Sequence, residues 1–275
     1  MHLTRRSLAW AFLAVVVAAG IALAVGPFRR PALTARQIRQ QLLLELQPVA
    51  LENCTLIRVG SANDGGYLMC SNLLGNAQSA YSYGIGPADD WGCEISERRR
   101  IPLHQYDCFS PPLAGCPNGL STFHNECVGP KAETNDGRTF DTIVNQIARN
   151  GDAGKTLVMK IDIEGAEQAS VMATPDSVLD RIDQLAMEIH GTDARFLELI
   201  RKLKRTFHVV HLHYNNQACS VRYKPLPAWA YQVLLVNKRI GTLAAGKPAP
   251  TLPNPLDAPD YSMGHDCQTP WPIEP

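Results

Sequence analysis

The run Lys160-Ile161-Asp162-Ile163-Glu164-Gly165-Ala166-Glu167 is the stretch of this chain richest in reactive side chains. Its apolar start reads as a strand. Asp162 and Glu164 fall on alternate positions at the strand's end, and a glycine turn leads to Glu167 at a helix start. Carboxylates gathered there are costly to desolvate unless they face a ligand, a metal or a cation such as Lys160. In Met187-Glu188-Ile189-His190-Gly191, Glu188 and His190 alternate and share one face of a strand. His211 and His213 alternate likewise, ahead of Asn215-Asn216. Asp162, Glu188, His190 and His213 are therefore a candidate ligand set for a divalent metal ion at successive strand ends. Such an ion would hold a hydroxyl acceptor and lower its pKa. Without metal, His190 or His213 is suited to act as a general base. The plain structural alternative has these histidines bonding backbone at strand ends.

A second group points to a nucleoside ligand. Tyr81-Ser82-Tyr83-Gly84-Ile85-Gly86 is a strand running into Gly-x-Gly, and glycines there let backbone approach a ligand without Cβ interference. Asp107 ends the next strand about twenty residues on, the spacing at which an acidic side chain accepts ribose hydroxyls.

The elements that must position these residues alternate in the manner of a parallel α/β sheet. Strands are expected at Ala80–Ile85, Leu103–Phe109, Thr122–Val128, Thr156–Ile163, Ile182–Ile189, His208–Tyr214 and Tyr231–Asn237. Helices are expected at Glu94–Arg100, Phe140–Arg149, Glu167–Ala173 and Ala194–Phe207. The last two strands have no helical pattern between them. The order suits a Rossmann-like, seven-stranded, mostly parallel sheet with helices on both faces and an antiparallel last strand. Ahead of it, Asn63-Asp64-Gly65-Gly66 marks a turn, and Arg36–Leu46 carries Ile38, Leu42, Leu43 and Leu46 near one helical face.

KIDIEGAE, with LAMEIH on the following strand, resembles the FkbM-type methyltransferases. DGGY, YSYGIG and ADDW are similar to the membrane-anchored methyltransferase-like branch of that family, and the likeness runs from about Asp64 to Asn237. It implies S-adenosyl-L-methionine as cofactor, with Gly84 and Gly86 giving backbone approach and Asp107 holding the ribose. It also implies Asn125 or Glu126 at the adenine, and Asp162 and Glu164 close to the methyl donor and acceptor. Two positions depart from the usual methyltransferase pattern: Ser82 stands where an acidic residue often precedes the glycines, and Ala88 replaces a third glycine.

Lys+Arg and Asp+Glu both number 26, and no basic stripe with interleaved aromatics occurs, which excludes nucleic acid as the expected partner. A hydrophobic content of 45% argues for a folded core. Leu8 to Val25 is apolar apart from Gly20, and about eighteen residues reach ~27 Å, just enough to cross a membrane. The segment is expected to be a signal-anchor, or a signal peptide cleaved after Ala22-Leu23-Ala24. Behind it come eight cysteines and no CxxC pair, the usage of a disulfide-bonded domain in an oxidising lumenal or extracytoplasmic compartment. Arg29, Arg30, Arg36 and Arg39 lie beyond the segment, and by the positive-inside tendency they argue for the opposite orientation; the cysteines weigh more here. The expected organisation is an anchor or signal over 1–30, an amphipathic stalk or extension over 31–60, the methyltransferase domain over 61–245 and a Pro-rich tail over 246–275.

The reaction expected is direct methyl transfer to the oxygen of a sugar, another hydroxyl or a carboxylate on a small-molecule or glycan acceptor. Asp162, Glu164, Glu188 and His190 are the candidate catalytic groups. Two rivals are a non-catalytic binding domain that keeps the fold and a metal-dependent hydrolase built on Asp162, Glu188 and the histidines.

Overall fold

Leu157–Ile161 is buried throughout, and Ile182–His190 is buried at every residue but the last, as strands covered on both faces must be. They lie at the centre of a structure, a computed structural model, that describes residues 32–110 and 115–268. In chain order the elements begin with α1 (Ala35–Glu45), β1 (Leu56–Gly60), β2 (Gly66–Cys70), β3 (Ser79–Tyr83), α2 (Asp90–Arg99) and β4 (Pro102–Asp107). Then come β5 (Leu120–Asn125), β6 (Cys127–Val128), β7 (Glu133–Asn135), β8 (Arg138–Asp141), α3 (Ile143–Arg149) and β9 (Leu157–Ile161). The remainder is α4 (Glu167–Ala173), α5 (Asp176–Leu179), β10 (Ile182–His190), α6 (Ala194–Thr206), β11 (Phe207–Tyr214) and β12 (Ala230–Asn237).

The main sheet has seven strands in the order β11-β12-β10-β9-β3-β4-β5, and β12 is antiparallel to both its neighbours. The chain moves outward from β3 to β5, then returns to place β9 on the other side of β3. Strand order therefore reverses between β3 and β9, and open α/β sheets bind ligands in the crevice at such a point. Gly84 follows β3 and Asp162 follows β9, and the Asp162 N–H donates to the Tyr83 carbonyl at 3.0 Å. The topology itself brings the glycine loop and the acidic run together.

Two apolar layers hold the sheet. On one face Ile143 and Ile147 of α3, Val171 of α4 and Ile200 and Leu203 of α6 pack on Met159, Ile161, Leu185 and Met187. On the other, Val59, Tyr67 and Met69 of the β1–β2 hairpin join Trp91 and Ile95 of α2 over Ala80, Val158 and Ala186. Helix α6 forms because Phe196, Leu197, Ile200 and Leu203 recur at helical spacing behind an Asp193 cap, whose carboxylate accepts from the Arg195 N–H. Helix α1 packs on α6 through buried Leu42 and Leu43, and Glu45 pairs with Arg201 at 3.1 Å and Lys204 at 2.8 Å. It is a packed extension of the sheet's helical layer and does not project as a stalk.

The helix expected from Phe140 begins at Ile143, capped by Thr142, because Arg138–Asp141 is a strand. That strand pairs with β7 across Asp136-Gly137, both at positive φ (48° and 73°), the geometry Asp-Gly hairpin turns favour. The tail is fastened to the sheet over its described part: Asp257 meets His211 at 2.8 Å, Gln232 donates to Asp260 at 2.8 Å, and Asp266 meets His213 at 3.2 Å.

All eight cysteines are paired, Cys54–Cys70, Cys93–Cys116, Cys108–Cys127 and Cys219–Cys267. Four disulfides fit an oxidising, extracytoplasmic environment. Among the described residues no helix is long and apolar enough to cross a membrane; the apolar segment Leu8–Val25 lies outside them. All eight thiols should resist alkylation until the native protein is reduced. Replacing Cys219 and Cys267 by serine should lower stability by about 2–4 kcal/mol in denaturant unfolding, since that pair closes the longest disulfide loop.

Candidate functional site

A cavity of about 610 Å³ opens at the β3/β9 crevice, walled by the Gly84–Gly86 loop, Asp107 and the turn after it, and the segment from Asp162 to Ala166. Gly84 sits at φ 72°, and a Cβ there would lie 1.6 Å from the Asp162 carbonyl oxygen, so no other residue fits. Its carbonyl accepts from Lys160 Nζ at 2.8 Å. Ser82 pairs with Lys160 in register, is fully buried and lies outside the cavity lining.

Asp107 lines this cavity, and four backbone N–H groups converge on its carboxylate. Oδ2 accepts from Ile85 at 3.1 Å and Gly86 at 3.0 Å; Oδ1 accepts from Phe109 at 2.8 Å and Ser110 at 2.9 Å. These fill its ordinary acceptor directions. Asp107 therefore shapes the glycine loop, and a ribose would have to exchange for some of those bonds. Glu126 reaches the same cavity but is held by Arg149, which also pairs with Asp141 at 2.9 Å. Asn125, the last residue of β5, is exposed and does not line the cavity.

A second cavity of about 290 Å³ adjoins the first and shares Asp64, Asp162 and Glu164 with it; Glu188, His190, Asn215 and Trp229 complete most of its wall. Ile161 pairs with Met187, so the next residues, Asp162 and Glu188, lie side by side. Asp162 Oδ2 accepts from the Tyr67 hydroxyl at 3.0 Å and lies 3.4 Å from Lys160 Nζ. Glu188 Oε1 accepts from Asn215 at 2.7 Å. The His190 ring is held at Nδ1 by Glu167 at 2.9 Å, which leaves Nε2 near Glu164 (3.5 Å) and Glu188 (3.8 Å).

Glu167 is fully buried, and its Oε1 also accepts from the Ile163 and Gly165 N–H groups at 3.1 and 3.0 Å. Between those two donors Glu164 is forced to φ 53°, a region unfavourable for any residue but glycine, asparagine or aspartate, while its side chain stays 86% exposed. Strain of this kind concentrates where a side chain must be aimed.

Asp162, Glu188 and His190 bring one ligand atom each to within 4.8 Å of one another, a spread that suits a divalent ion. His213 is not among them. It follows His190 in the chain, but β12 stands between β10 and β11, and Gln232 occupies the intervening position in register with both Glu188 and His213. Two strand spacings, roughly 9–10 Å, separate them. His213 turns instead to Asp266.

Burial raises the Glu188 carboxyl well above the usual range, and the neighbouring Asp162 charge adds to it. For His190 burial acts in the opposite direction, but Glu167, Glu188 and Asp162 outweigh it and raise the imidazole to about 9.

Glu167 was legible from its sequence only as a helix start. A glutamate two residues after a strand-to-helix glycine is a signal for capture of turn N–H groups, whereas its bond to His190 depends on β10. Tyr67 and Trp229 carry no local signal. No family model matches the chain, and no curated protein matches it.

Because glycine is at home where Glu164 is strained, Glu164→Gly should leave stability unchanged or raise it by about 1 kcal/mol. A clear fall in Tm would show that the Glu164 side chain holds the fold together rather than serving the cavities.

Proposed function

We propose that this chain is an S-adenosylmethionine-dependent methyltransferase of the FkbM type its KIDIEGAE and LAMEIH motifs resemble, acting on a hydroxyl of a sugar or other small acceptor. In this reading the domain is tethered by Leu8–Val25 as a single-pass anchor, on the extracytoplasmic side. One observation carries the proposal: two cavities meet at Asp64, Asp162 and Glu164, one at the strand-order reversal beside a glycine loop, the other polar and furnished with a histidine. A donor and an acceptor bound in them would meet over Asp162.

The cofactor's sulfonium would supply the electrophilic methyl group. The chain's own work is alignment and proton removal. Gly86 leaves open space beside bare backbone for a ligand, Gly84 lets the loop close on the Asp162 carbonyl, and Lys160 locks that loop to Asp162. His190 Nε2 faces the acceptor cavity and takes the hydroxyl proton, while Glu167 fixes the ring and balances the charge it gains. Glu167 is a positioning residue.

Two further readings each rest on an observation. Asp107, with its acceptor directions occupied by backbone, favours a binding module without cofactor affinity. Asp162, Glu188 and His190, the last with its second nitrogen held by a carboxylate, form a set that would hold a divalent ion, which fits metal-assisted transfer or hydrolysis.

Calorimetric titration of the full-length protein with S-adenosylmethionine should show one site; no binding would favour the module. A base works only when deprotonated, so kcat/KM should climb with pH until it levels near 9, where the His190 imidazole loses its proton. His190→Ala should cost about 100-fold or more in turnover and leave cofactor affinity unchanged. Activity abolished by a chelator and restored by a divalent ion would transfer that role to a metal.

A further inference from the structure

The second cavity is lined by the carboxylates of Asp64, Asp162, Glu164 and Glu188, and among the described residues no lysine or arginine lines it. Lys160 opens onto the first cavity, where its ammonium is held by the Gly84 carbonyl and lies 3.4 Å from Asp162; the His190 imidazolium does line the second cavity, paired at Nδ1 with buried Glu167 at 2.9 Å. Glu188 is only 3% exposed, and Asn215 satisfies one of its oxygens; among the described residues no donor reaches the other. Asp64 and Glu164 are exposed, and Trp229 presents a 39% exposed indole whose ring centre is 6.0 Å from that of His190.

We propose that the acceptor bound in this cavity carries a positive charge, as a protonated amine on the same molecule as the reacting hydroxyl. This rests on the second cavity being the acceptor pocket. An anionic acceptor, carboxylate or phosphate, would meet the carboxylates of Asp64, Asp162 and Glu164, while the His190 imidazolium is already balanced by Glu167, which narrows the oxygen acceptor to a hydroxyl. A neutral polyol would be held by donation to the carboxylates and would leave their charge uncompensated. A protonated amine supplies donors and charge together, and an aromatic face beside carboxylates is a favourable seat for it. The exposed carboxylates Asp64 and Glu164 also raise the local concentration of cations at the mouth.

The test uses three probes of one shape on the full-length protein, benzylamine, benzyl alcohol and benzoate, titrated at low and high salt. Benzylamine should bind at least tenfold tighter than benzyl alcohol, and benzoate should show no binding. The preference should shrink with salt. It should also shrink toward parity in Trp229→Ala and in the double variant Asp64→Asn/Glu164→Gln, neither of which removes a core contact. Equal or tighter binding of the alcohol, binding of benzoate, or no binding by any probe would overturn the inference. So would displacement of benzylamine by magnesium or zinc at stoichiometric concentration, which would assign the carboxylates to a metal. The outcome is independent of the transferase reading. Benzylamine preference without S-adenosylmethionine affinity would refute the transferase and keep a cation site, whereas cofactor affinity with no amine preference would do the reverse.

Discussion

One buried carboxylate, that of Glu167, organises the reactive end of this protein. A single oxygen of it gathers the N–H groups of Ile163 and Gly165 and the Nδ1 of His190. The first two bonds close the tight turn between β9 and α4, and the third reaches across to β10. Hydrogen bonds to a charged group are roughly twice as strong as neutral ones, and here they form away from water, where strength and geometric demand are both greatest. The consequences run outward from this point. Glu164 is driven into a left-handed conformation with its carboxylate at the cavity mouth, and Asp162 is left at the end of β9 beside Glu188. His190 presents Nε2 to the space between them.

Asp107 does for the other side of the crevice what Glu167 does for this one. Both are carboxylates at strand-to-helix or strand-to-turn junctions that gather backbone N–H groups from the adjoining turn. Between them Lys160 ties the glycine loop to the acidic strand, through the Gly84 carbonyl and Asp162. The two cavities are thus framed by fixed charge and backbone, with little left to the rotamers of long surface side chains. Such a frame suits a reaction whose main demand on the protein is alignment.

Much of the fold could be read from the sequence because its signals are local. The apolar run before Asp162, the helical spacing in α6 and the missing helix between the last two strands each reflect burial along a single element. They suffice for a seven-stranded sheet with an antiparallel member. The small β6-β8-β7 sheet went unread although Asp136-Gly137 is a strong turn signal, since its strands are only two to four residues long. Site membership was less accessible, because it depends on spatial strand order. Asp162, Glu188 and His190 meet because β9 and β10 are neighbours. His213 fails to join them because β12, last in the chain, inserts between β10 and β11. The tail, which reads as a loose or wrapping Pro-rich terminus, is held by Asp257, Asp260 and Asp266, whose partners lie on two strands of the sheet.

The central claim is that a nucleoside cofactor enters the crevice between the glycine loop and the Asp162 turn. Hydrogen–deuterium exchange of the full-length protein, with and without saturating S-adenosylhomocysteine, tests it segment by segment. The account predicts added protection at Gly84–Gly86, at the backbone amides gathered by Asp107 and across Asp162–Ala166, with the β11 edge of the sheet unchanged. An exchange pattern identical in the two states, or protection confined to segments away from that crevice, would contradict it.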